Sequence, residues 1–172
     1  GMDTGDMIKK VAVPIGENMA RGELHDELKV KGAELLLEVI EDIEAGKAQP
    51  EKQSEEEATY ASLLKRDMER IDWSKSAVDI HNLIRGFNPA PGAFTKLPDG
   101  KNLKIWGSRL TDKATTAEPG TVVEATKHSF FVACGNGVLE IIEVQPESKK
   151  RMAAQVFING RGVQVGDVLG KE

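Results

Sequence analysis

Two carboxylates near the start of the chain have the chemistry of acid–base groups. Asp3 and Asp6 flank Thr4-Gly5 in the string MDTGDM, just before a predicted strand. A carboxylate can serve as a general base, but aspartates beside a glycine also bracket simple turns. On these residues alone the turn is the favoured interpretation, and a catalytic role for Asp3 needs independent support.

Other reactive side chains are isolated in the sequence. Cys134 ends the apolar string SFFVAC with no base nearby, which predicts a buried structural thiol. His25, His81 and His128 have no metal-ligand spacing, and the GxxxxGK[ST], GxGxxG and HExxH motifs are absent. The string Gly135-Asn136-Gly137 joins two predicted strands, so it predicts a hairpin turn and not a phosphate-binding loop.

Basic side chains of the second half form a third group. They occupy strand or loop positions expected to face solvent: Lys101, Lys104, Arg109, Lys127, Lys149, Lys150, Arg151 and Arg161. A shared basic face would neutralise the phosphates of RNA. An ordinary solvated surface is equally compatible with the composition, so the residues alone leave both interpretations open.

The composition is that of a soluble globular protein. The 172 residues are 40% hydrophobic and 30% charged, with one cysteine. These values exclude a disordered tail, a collagen-like repeat and a disulfide-built miniprotein. Because no secretory signal or membrane segment is visible, we expect a reducing, cytoplasmic setting without membrane contact. The net charge of -5 argues against a uniformly basic nucleic-acid binder.

The charge is unevenly distributed along the chain. Residues 1–57 carry 7 basic and 15 acidic side chains, whereas residues 58–172 carry 16 and 13. The polar run AQPEKQSEEEAT between them has no apolar periodicity and contains Pro50. We therefore predict three parts: a domain remnant over 1–47, a linker over 48–70 and a second domain over 71–172.

The first part contains two predicted elements. Alternating apolar residues in MIKKVAVPI predict a strand over 7–15, and apolar residues at three- and four-residue spacing predict an amphipathic helix over 22–45, ending at Gly46. One strand and one helix cannot enclose a core, so this part is the expected end of an α/β domain. The apolar helix face between Leu28 and Ile43 is expected to pack on a second copy, a crystal neighbour or the chain's own barrel.

The second part begins with a predicted helix and continues with short strands. The helix is expected to start after Ser74 as N-cap, with its buried face formed by Val78, Ile80, Leu83, Ile84 and Phe87. Strands are predicted in PGAFTKL, NLKIWGSRL, TVVEAT, SFFVAC, VLEIIEV and VQVGDVL, with a short helix in SKKRMAAQVFING carrying Met152, Val156 and Phe157 on one side. The chain is therefore predicted to be α+β overall, with a small antiparallel OB-like barrel and flanking helices.

Several long strings resemble the C-terminal portion of the methionyl-tRNA formyltransferase family. They are RIDWSKSAVDIHNLIRGFNPAPGAFTKL, LKIW, EPGTV, ACGNGVLEI and KKRMAAQVFINGRGVQVGDVL, and the N-terminal MDTGDM, GELHDEL and AELLLEVIEDIEAGKAQPEKQ also fit. Together they cover nearly the whole chain. The chain departs from the family at Ala90, where the family commonly has a tryptophan in its NPWPGA string.

The resemblance implies the end of a Rossmann-like formyltransferase domain followed by an OB-like domain that helps to hold tRNA. The parent enzymes transfer a formyl group from 10-formyltetrahydrofolate to the amino group of methionyl initiator tRNA. Asp3 matches the catalytic aspartate of this family, whose asparagine and histidine partners are absent from this sequence. We therefore expect this chain alone to bind no folate and to lack activity, while self-association through the helix 22–45 is a further expectation.

Two other functional interpretations remain open from the sequence. The chain would also suit a stand-alone RNA-binding barrel module without catalysis. Sugar-nucleotide formyltransferases and formyltetrahydrofolate dehydrogenase pair a similar catalytic core with a related barrel, although the KKRMAAQVFINGRGVQVGDVL ending favours the tRNA enzyme.

Overall fold

A computed structural model describes residues 4–171 of the chain. The chain divides into two compact units between Leu63 and Leu64. This division lies within the segment 48–70 that the sequence assigns to a linker, where the structure has two short 3-10 turns, Glu55–Glu57 and Arg66–Glu69. No helix of the described residues is long and apolar enough to span a membrane.

The first unit is built on one long helix, α1 (Arg21–Glu44). The backbone N–H of Ala20 donates to the Glu23 carboxylate at 2.7 Å, which satisfies a donor at the helix start. Gly46 adopts a positive φ of 67° just past the end, as a helix-terminating glycine does. The predicted helix and its glycine stop are confirmed.

The strand predicted over 7–15 is wrong. Within the described residues this segment makes one isolated bridge, Met7 to Glu51, and no ladder. Its Lys9 instead forms ion pairs with Glu38 at 3.1 Å and Asp42 at 2.7 Å on α1. Alternating apolar residues form a strand only when another strand accepts their backbone hydrogen bonds, and the described part of this unit offers none.

The apolar face of α1 stays exposed in the single chain. No residue of the helix is buried, and Leu36, Leu37 and Ile43 are 59%, 64% and 53% exposed. The described residues of the first unit therefore provide no cover for this face. Its packing on a second copy, a crystal neighbour or the chain's own barrel stays a prediction.

The second unit opens with α2 (Ala77–Gly86), whose N-cap is Ser76. The Ser76 hydroxyl accepts a hydrogen bond from the Asp79 backbone N–H at 3.1 Å. The predicted cap, Ser74, is wrong because both its backbone N–H and its hydroxyl donate to the Asp72 carboxylate, at 3.0 and 2.6 Å. These bonds hold Ser74 in a turn before the helix and lower the pKa of Asp72.

The buried face of α2 agrees with the prediction except at one position. Ile80, Ile84 and Phe87 are at most 6% exposed, and Leu83 packs beside them. Val78 is 51% exposed. It precedes Ile80 by two residues, which places it about 200° around the helix and away from the core.

Six strands follow, and all their pairings are antiparallel. They are β1 (Ala93–Lys96), β2 (Asn102–Leu110), β3 (Val122–Ala125), β4 (Phe130–Ala133), β5 (Val138–Pro146) and β6 (Met152–Ala153), followed by α3 (Ala154–Asn159). The sheet order is β1-β2-β5-β4-β3, with β6 also paired to β5. This arrangement confirms the α+β class and five of the predicted strands.

At the end of the chain one predicted strand is wrong, and a predicted short helix is confirmed but starts later than expected. The segment VQVGDVL is not a strand: Gly166 has a φ of 94°, the Gln164 N–H donates to the Asp167 carboxylate at 2.9 Å, and only Val168 makes a bridge, to Thr121. The predicted helix through Met152 begins only at Ala154, because Met152 pairs with β5 in β6.

The core lies between the sheet and the helices α2 and α3. Buried residues from α2, α3 and the strands β1 to β5 form one apolar cluster, including Phe130 and Phe157, whose ring centroids are 6.5 Å apart. The indole N–H of the buried Trp73 donates to the hydroxyl of Thr95 at 2.9 Å, so this polar atom is satisfied in the core. Because the core covers one side of the sheet, the opposite, outer side is the one that can carry polar side chains.

Candidate nucleic-acid interface

The outer surface of β2 carries a basic residue next to a tryptophan. Leu103 and Ile105 are fully buried, so the alternation of the strand directs Lys104 outward. Trp106, two residues beyond Lys104, lies on the same outer surface, and a bulge between Ile105 and Gly107 then shifts the register with β5. Lys104 pairs in register with Phe94 of β1 on one side and with Gln145 of β5 on the other.

The Trp106 side chain is fixed on this surface by three neighbours. Its indole N–H donates to the Gln145 side-chain oxygen at 3.0 Å, and its backbone oxygen accepts from the Asn88 amide at 2.9 Å. Gly92 lies against the ring, since a Cβ built there would be 2.5 Å from Trp106 Cη2. In the PGA string that follows Ala90, Gly92 therefore leaves the space into which the Trp106 ring packs.

Two cations flank the Trp106 ring. The Arg151 guanidinium lies 4.9 Å and the Lys104 ammonium 5.6 Å from the ring centroid. Arg151 also pairs with Glu143, and Lys104 donates to the Pro91 carbonyl at 2.6 Å. Cation–π contacts and these hydrogen bonds hold both charges in position, and each cation has further N–H donors for a ligand. We call Lys104, Trp106 and Arg151 the Trp106 cluster.

Three other predicted basic residues lie in turns next to this surface. Lys149 and Lys150 directly precede Arg151 in the β5–β6 turn, are exposed, and have no ion pair among the described residues. The Gln145 amide that holds Trp106 also donates to the Lys149 carbonyl at 2.9 Å. Lys101 lies in the β1–β2 turn and pairs with Asp99 at 2.7 Å, which raises the pKa of Lys101.

The remaining three predicted basic residues are not brought to the Trp106 cluster. Arg109 lies five residues beyond Lys104 on β2, about 16 Å along the strand, and pairs in register with Glu140. Lys127 is exposed in the β3–β4 turn, and Arg161 follows α3. The structure therefore divides the predicted set into a group at one end of β2 and separate surface residues.

Sequence reasoning missed three basic residues that the structure places beside Lys104. Arg66, Arg70 and Lys96 line a groove of about 530 Å³ together with Lys104, Glu69, Phe94 and Asn102. Period-two alternation in β1 would have indicated Phe94 and Lys96, which lie on the outer surface. Arg66 and Arg70 fall in the predicted linker, where no local pattern marks them.

Among the described residues, the cysteine and the three histidines are not brought together into one site. Asp3 lies outside the described residues. Cys134 is 5% exposed and burial raises the pKa of its thiol to about 11, which confirms an unreactive structural cysteine. His81 is buried with its Nδ1 2.9 Å from the Ser108 hydroxyl, whereas His25 and His128 are exposed. Residues 4–171 contain no cluster of three or more His, Cys, Asp or Glu able to hold a metal ion.

The Gly135-Asn136-Gly137 string forms the predicted hairpin between β4 and β5. The Cys134 N–H donates to the Gly137 carbonyl at 3.0 Å across the turn. A Cβ at Gly135 would be 1.8 Å from the Ser74 carbonyl oxygen, so this position requires glycine for packing. The turn therefore serves the fold.

Comparison with known families decides which family the chain represents. A family model described as "Formyl transferase, C-terminal domain" matches residues 63–162, which is more than half of the chain. The chain belongs to the formyl transferase family. The Trp106 cluster and the groove beside it both lie inside the matched region of this formyl transferase chain.

Curated relatives of this formyl transferase chain are named methionyl-tRNA formyltransferase. The Bacillus subtilis protein is 51% identical over 170 residues, covering 98% of this chain and 53% of the relative. The Symbiobacterium thermophilum protein is 51% identical over 168 residues, covering 96% and 51%. The chain thus spans about half the length of the curated relatives it matches.

Two solved structures share the fold. HypX from Aquifex aeolicus in complex with tetrahydrofolic acid superposes with a TM-score of 0.66 at 18% identity, covering 92% of this chain and 28% of that one. An N-formyltransferase from Helicobacter canadensis, in complex with folinic acid and dTDP-3-aminofucose, gives a TM-score of 0.60 at 23% identity, covering 85% and 52%. At these identities the likeness shows the fold alone.

Proposed function

We propose that this chain is the tRNA-holding C-terminal portion of a methionyl-tRNA formyltransferase that acts in the cytoplasm at translation initiation. The parent enzyme transfers the formyl group of 10-formyltetrahydrofolate to the amino group of methionyl initiator tRNA. The observation that carries this proposal is the 51% identity to the Bacillus subtilis enzyme over 98% of the chain. Residues 1–47 are then the end of the catalytic domain, 48–70 the linker and 71–172 the OB-like domain.

The catalytic contribution of the chain is confined to Asp3. Formyl transfer needs a general base for the amine proton, donors for the developing oxyanion and a site that holds both reactants. Asp3 matches the family's aspartate and supplies the first of these, while its asparagine and histidine partners belong to a part of the family outside this sequence. We expect the folate site to be formed by the portion of the parent enzyme that carries the asparagine and histidine, so no step on folate is assigned to this chain.

The Trp106 cluster supports the tRNA role. Arg151 and Lys104 present fixed positive charge on the outer sheet surface, and Lys149 and Lys150 extend it along the β5–β6 turn. Contacts of this kind bind phosphates, position the nucleic acid and weaken as salt is added. The net acidic charge of the chain does not oppose this, because the acidic excess lies in residues 1–57.

The RNA-binding part of the proposal is tested by charge reversal. The affinity of the full chain for methionyl initiator tRNA is measured over a series of salt concentrations for the wild type and for the triple variant Lys149→Glu, Lys150→Glu and Arg151→Glu. A matched control reverses the three predicted basic residues that the structure does not bring to the cluster, Arg109, Lys127 and Arg161, all of them exposed.

We expect the cluster variant to lose about tenfold or more in affinity and to show a shallower salt dependence, because fewer counterions are released. The control variant has the same net charge and should bind within about threefold of the wild type, since long-range charge effects are screened. Equal losses in the two variants would overturn the assignment of tRNA binding to this surface.

The catalytic part is tested separately with the same protein. The purified chain, supplied with 10-formyltetrahydrofolate and methionyl initiator tRNA, is expected to produce no formyl-methionyl-tRNA above a blank. Product above the blank would contradict the proposed division of labour between this chain and the rest of the family's length.

A further inference from the structure

The basic surface continues beyond the Trp106 cluster into a groove. We call it the basic groove, lined by Arg66, Glu69, Arg70, Phe94, Lys96, Asn102 and Lys104. Four of its seven side chains are cationic and one is a carboxylate. Its volume of about 530 Å³ is that of an open cleft with room for a small planar group and the charged atoms attached to it.

The segment before α2 builds one wall of the basic groove. The Ile71 backbone N–H donates to the Phe94 carbonyl at 2.8 Å, so Arg70 bridges to Phe94 in parallel along the free edge of β1. The 3-10 turn Arg66–Glu69 comes immediately before this bridge. Arg70 is held further by a hydrogen bond to the Gly170 carbonyl at 3.2 Å. Backbone hydrogen bonds therefore place Arg70, and the turn that carries Arg66, beside β1.

The outward residues of β1 and β2 form the floor. Phe94 pairs in register with Lys104, and Lys96 with Asn102, so an aromatic ring and an amide lie between two lysines. Lys96 donates to the Gly100 carbonyl at 3.0 Å and Lys104 to the Pro91 carbonyl at 2.6 Å, which fixes both ammonium groups. Phe94 is only half-buried, so part of its side chain is available for contact.

Asn102 adds an unusual polar group to this floor. Its side-chain oxygen is buried and has no hydrogen-bond partner among the described residues. A buried, unpaired oxygen is unfavourable, and rotation of this amide toward a ligand breaks no hydrogen bond to that oxygen. The groove therefore contains a polar side chain whose oxygen has no hydrogen-bond partner among the described residues.

We propose that the basic groove binds an unpaired nucleotide of RNA, with the base stacked on Phe94 and the adjoining phosphates paired with Arg66, Arg70, Lys96 and Lys104. An aromatic ring between cations is the arrangement by which proteins hold single-stranded nucleic acid. In a duplex the bases are stacked inside the double helix, so only its phosphates can contact the basic groove. This inference rests on the proposed function in one respect, that the ligand of this surface is RNA.

The test compares an unpaired RNA with a blunt RNA duplex of equal length as probes, using the full chain. Phe94→Leu keeps apolar volume at the floor but removes the aromatic face, whereas Phe94→Tyr retains it. We expect Phe94→Leu to weaken binding of the unpaired RNA about tenfold and to leave duplex binding unchanged, and Phe94→Tyr to bind both probes like the wild type.

A double charge reversal, Arg66→Glu with Lys96→Glu, tests the phosphate contacts. This variant is expected to bind both probes more weakly. The slope of log affinity against log salt concentration for the unpaired RNA should fall by about 1.4, because two phosphate contacts are lost. The urea midpoint of each variant is measured as well, and each comparison is made at temperatures where both proteins are folded.

The outcomes separate this inference from the proposed function. Unchanged RNA affinity in Phe94→Leu and in the Arg66/Lys96 variant, together with a loss in the Lys149/Lys150/Arg151 variant, overturns the basic groove and leaves the tRNA role intact. Unchanged affinity in all of these variants overturns both. Equal losses for duplex and unpaired RNA in Phe94→Leu overturn the stacking contact.

Discussion

The Arg151 guanidinium lies 4.9 Å from the centroid of the Trp106 ring, and the same guanidinium pairs with Glu143. Trp106 comes from β2, Glu143 from β5, and Arg151 directly precedes β6. The position of this cation therefore depends on the pairing of three strands, and the basic surface forms only when the sheet is folded. Four stability and pH experiments test the packing that supports this surface.

Replacing Gly92 with alanine should destabilise the second unit more than the same change at Gly100. Both residues have positive φ, 92° and 82°, so both variants suffer backbone strain of about 1 kcal/mol. Only at Gly92 does a Cβ meet Trp106, at 2.5 Å, which adds about 1–3 kcal/mol of overpacking. Urea unfolding measures both free energies, and equal losses would contradict the packing of Trp106 on Gly92.

Replacing Thr95 with valine should cost about 1–3 kcal/mol, because it leaves the buried indole N–H of Trp73 without its acceptor. Trp73→Phe in the same background removes the unpaired donor. The double variant is therefore expected to be less destabilised than the sum of the two single variants. If the losses of unfolding free energy of the two single variants add up to that of the double variant, the hydrogen bond contributes nothing to stability.

The N-cap of α2 can be located by two serine variants. Ser76→Ala removes the hydroxyl that accepts from the Asp79 N–H and should cost about 1 kcal/mol. Ser74→Ala leaves that cap intact and retains the backbone hydrogen bond from Ser74 to Asp72, so a smaller loss is expected. A larger loss in Ser74→Ala than in Ser76→Ala would contradict the helix start described here.

The buried thiol of Cys134 predicts a pH dependence of stability. Burial raises its pKa from 9.0 to about 11, so between these values the unfolded chain loses this proton while the folded chain keeps it. Unfolding then releases a proton, and the contribution of Cys134 to stability is present below pH 9.0 and declines as pH rises toward about 11.

The measurement compares the wild type with Cys134→Ala by urea unfolding at about pH 8 and about pH 10. The stability advantage of the wild type over the variant is expected to shrink at the higher pH, whereas other titrating groups affect both proteins alike. An advantage that is constant across this range would contradict the raised pKa. Rapid alkylation of the native thiol at neutral pH would contradict its burial.

Local patterns in the sequence predicted the elements whose partners are close along the chain. Strand β2 was predicted over its full extent because Leu103 and Ile105 alternate with outward residues, and α1 because its apolar spacing and Gly46 define a helix and its end. The same alternation correctly directed Lys104 outward. Ser74 and Val78 were misassigned because capping and burial depend on single hydrogen bonds and on the angle around the helix.

The arginine wall of the basic groove was beyond local prediction. Arg70 reaches Phe94 through a bridge between segments 24 residues apart. The predicted strand over 7–15 failed for the related reason that a strand needs a partner elsewhere in the chain. Such placements follow from long-range pairing, which a period in the sequence does not record.

The most direct test of the RNA surface is to map backbone amide shifts by NMR while methionyl initiator tRNA is added to the full chain. The result expected is that shifts concentrate on the outer surface of β1, β2 and β5, at Phe94, Lys96, Lys104, Trp106 and Gln145, and in the β5–β6 turn at 149–151. Shifts confined to the β3–β4 turn around Lys127 and to Arg161, with none on β1 and β2, would contradict it.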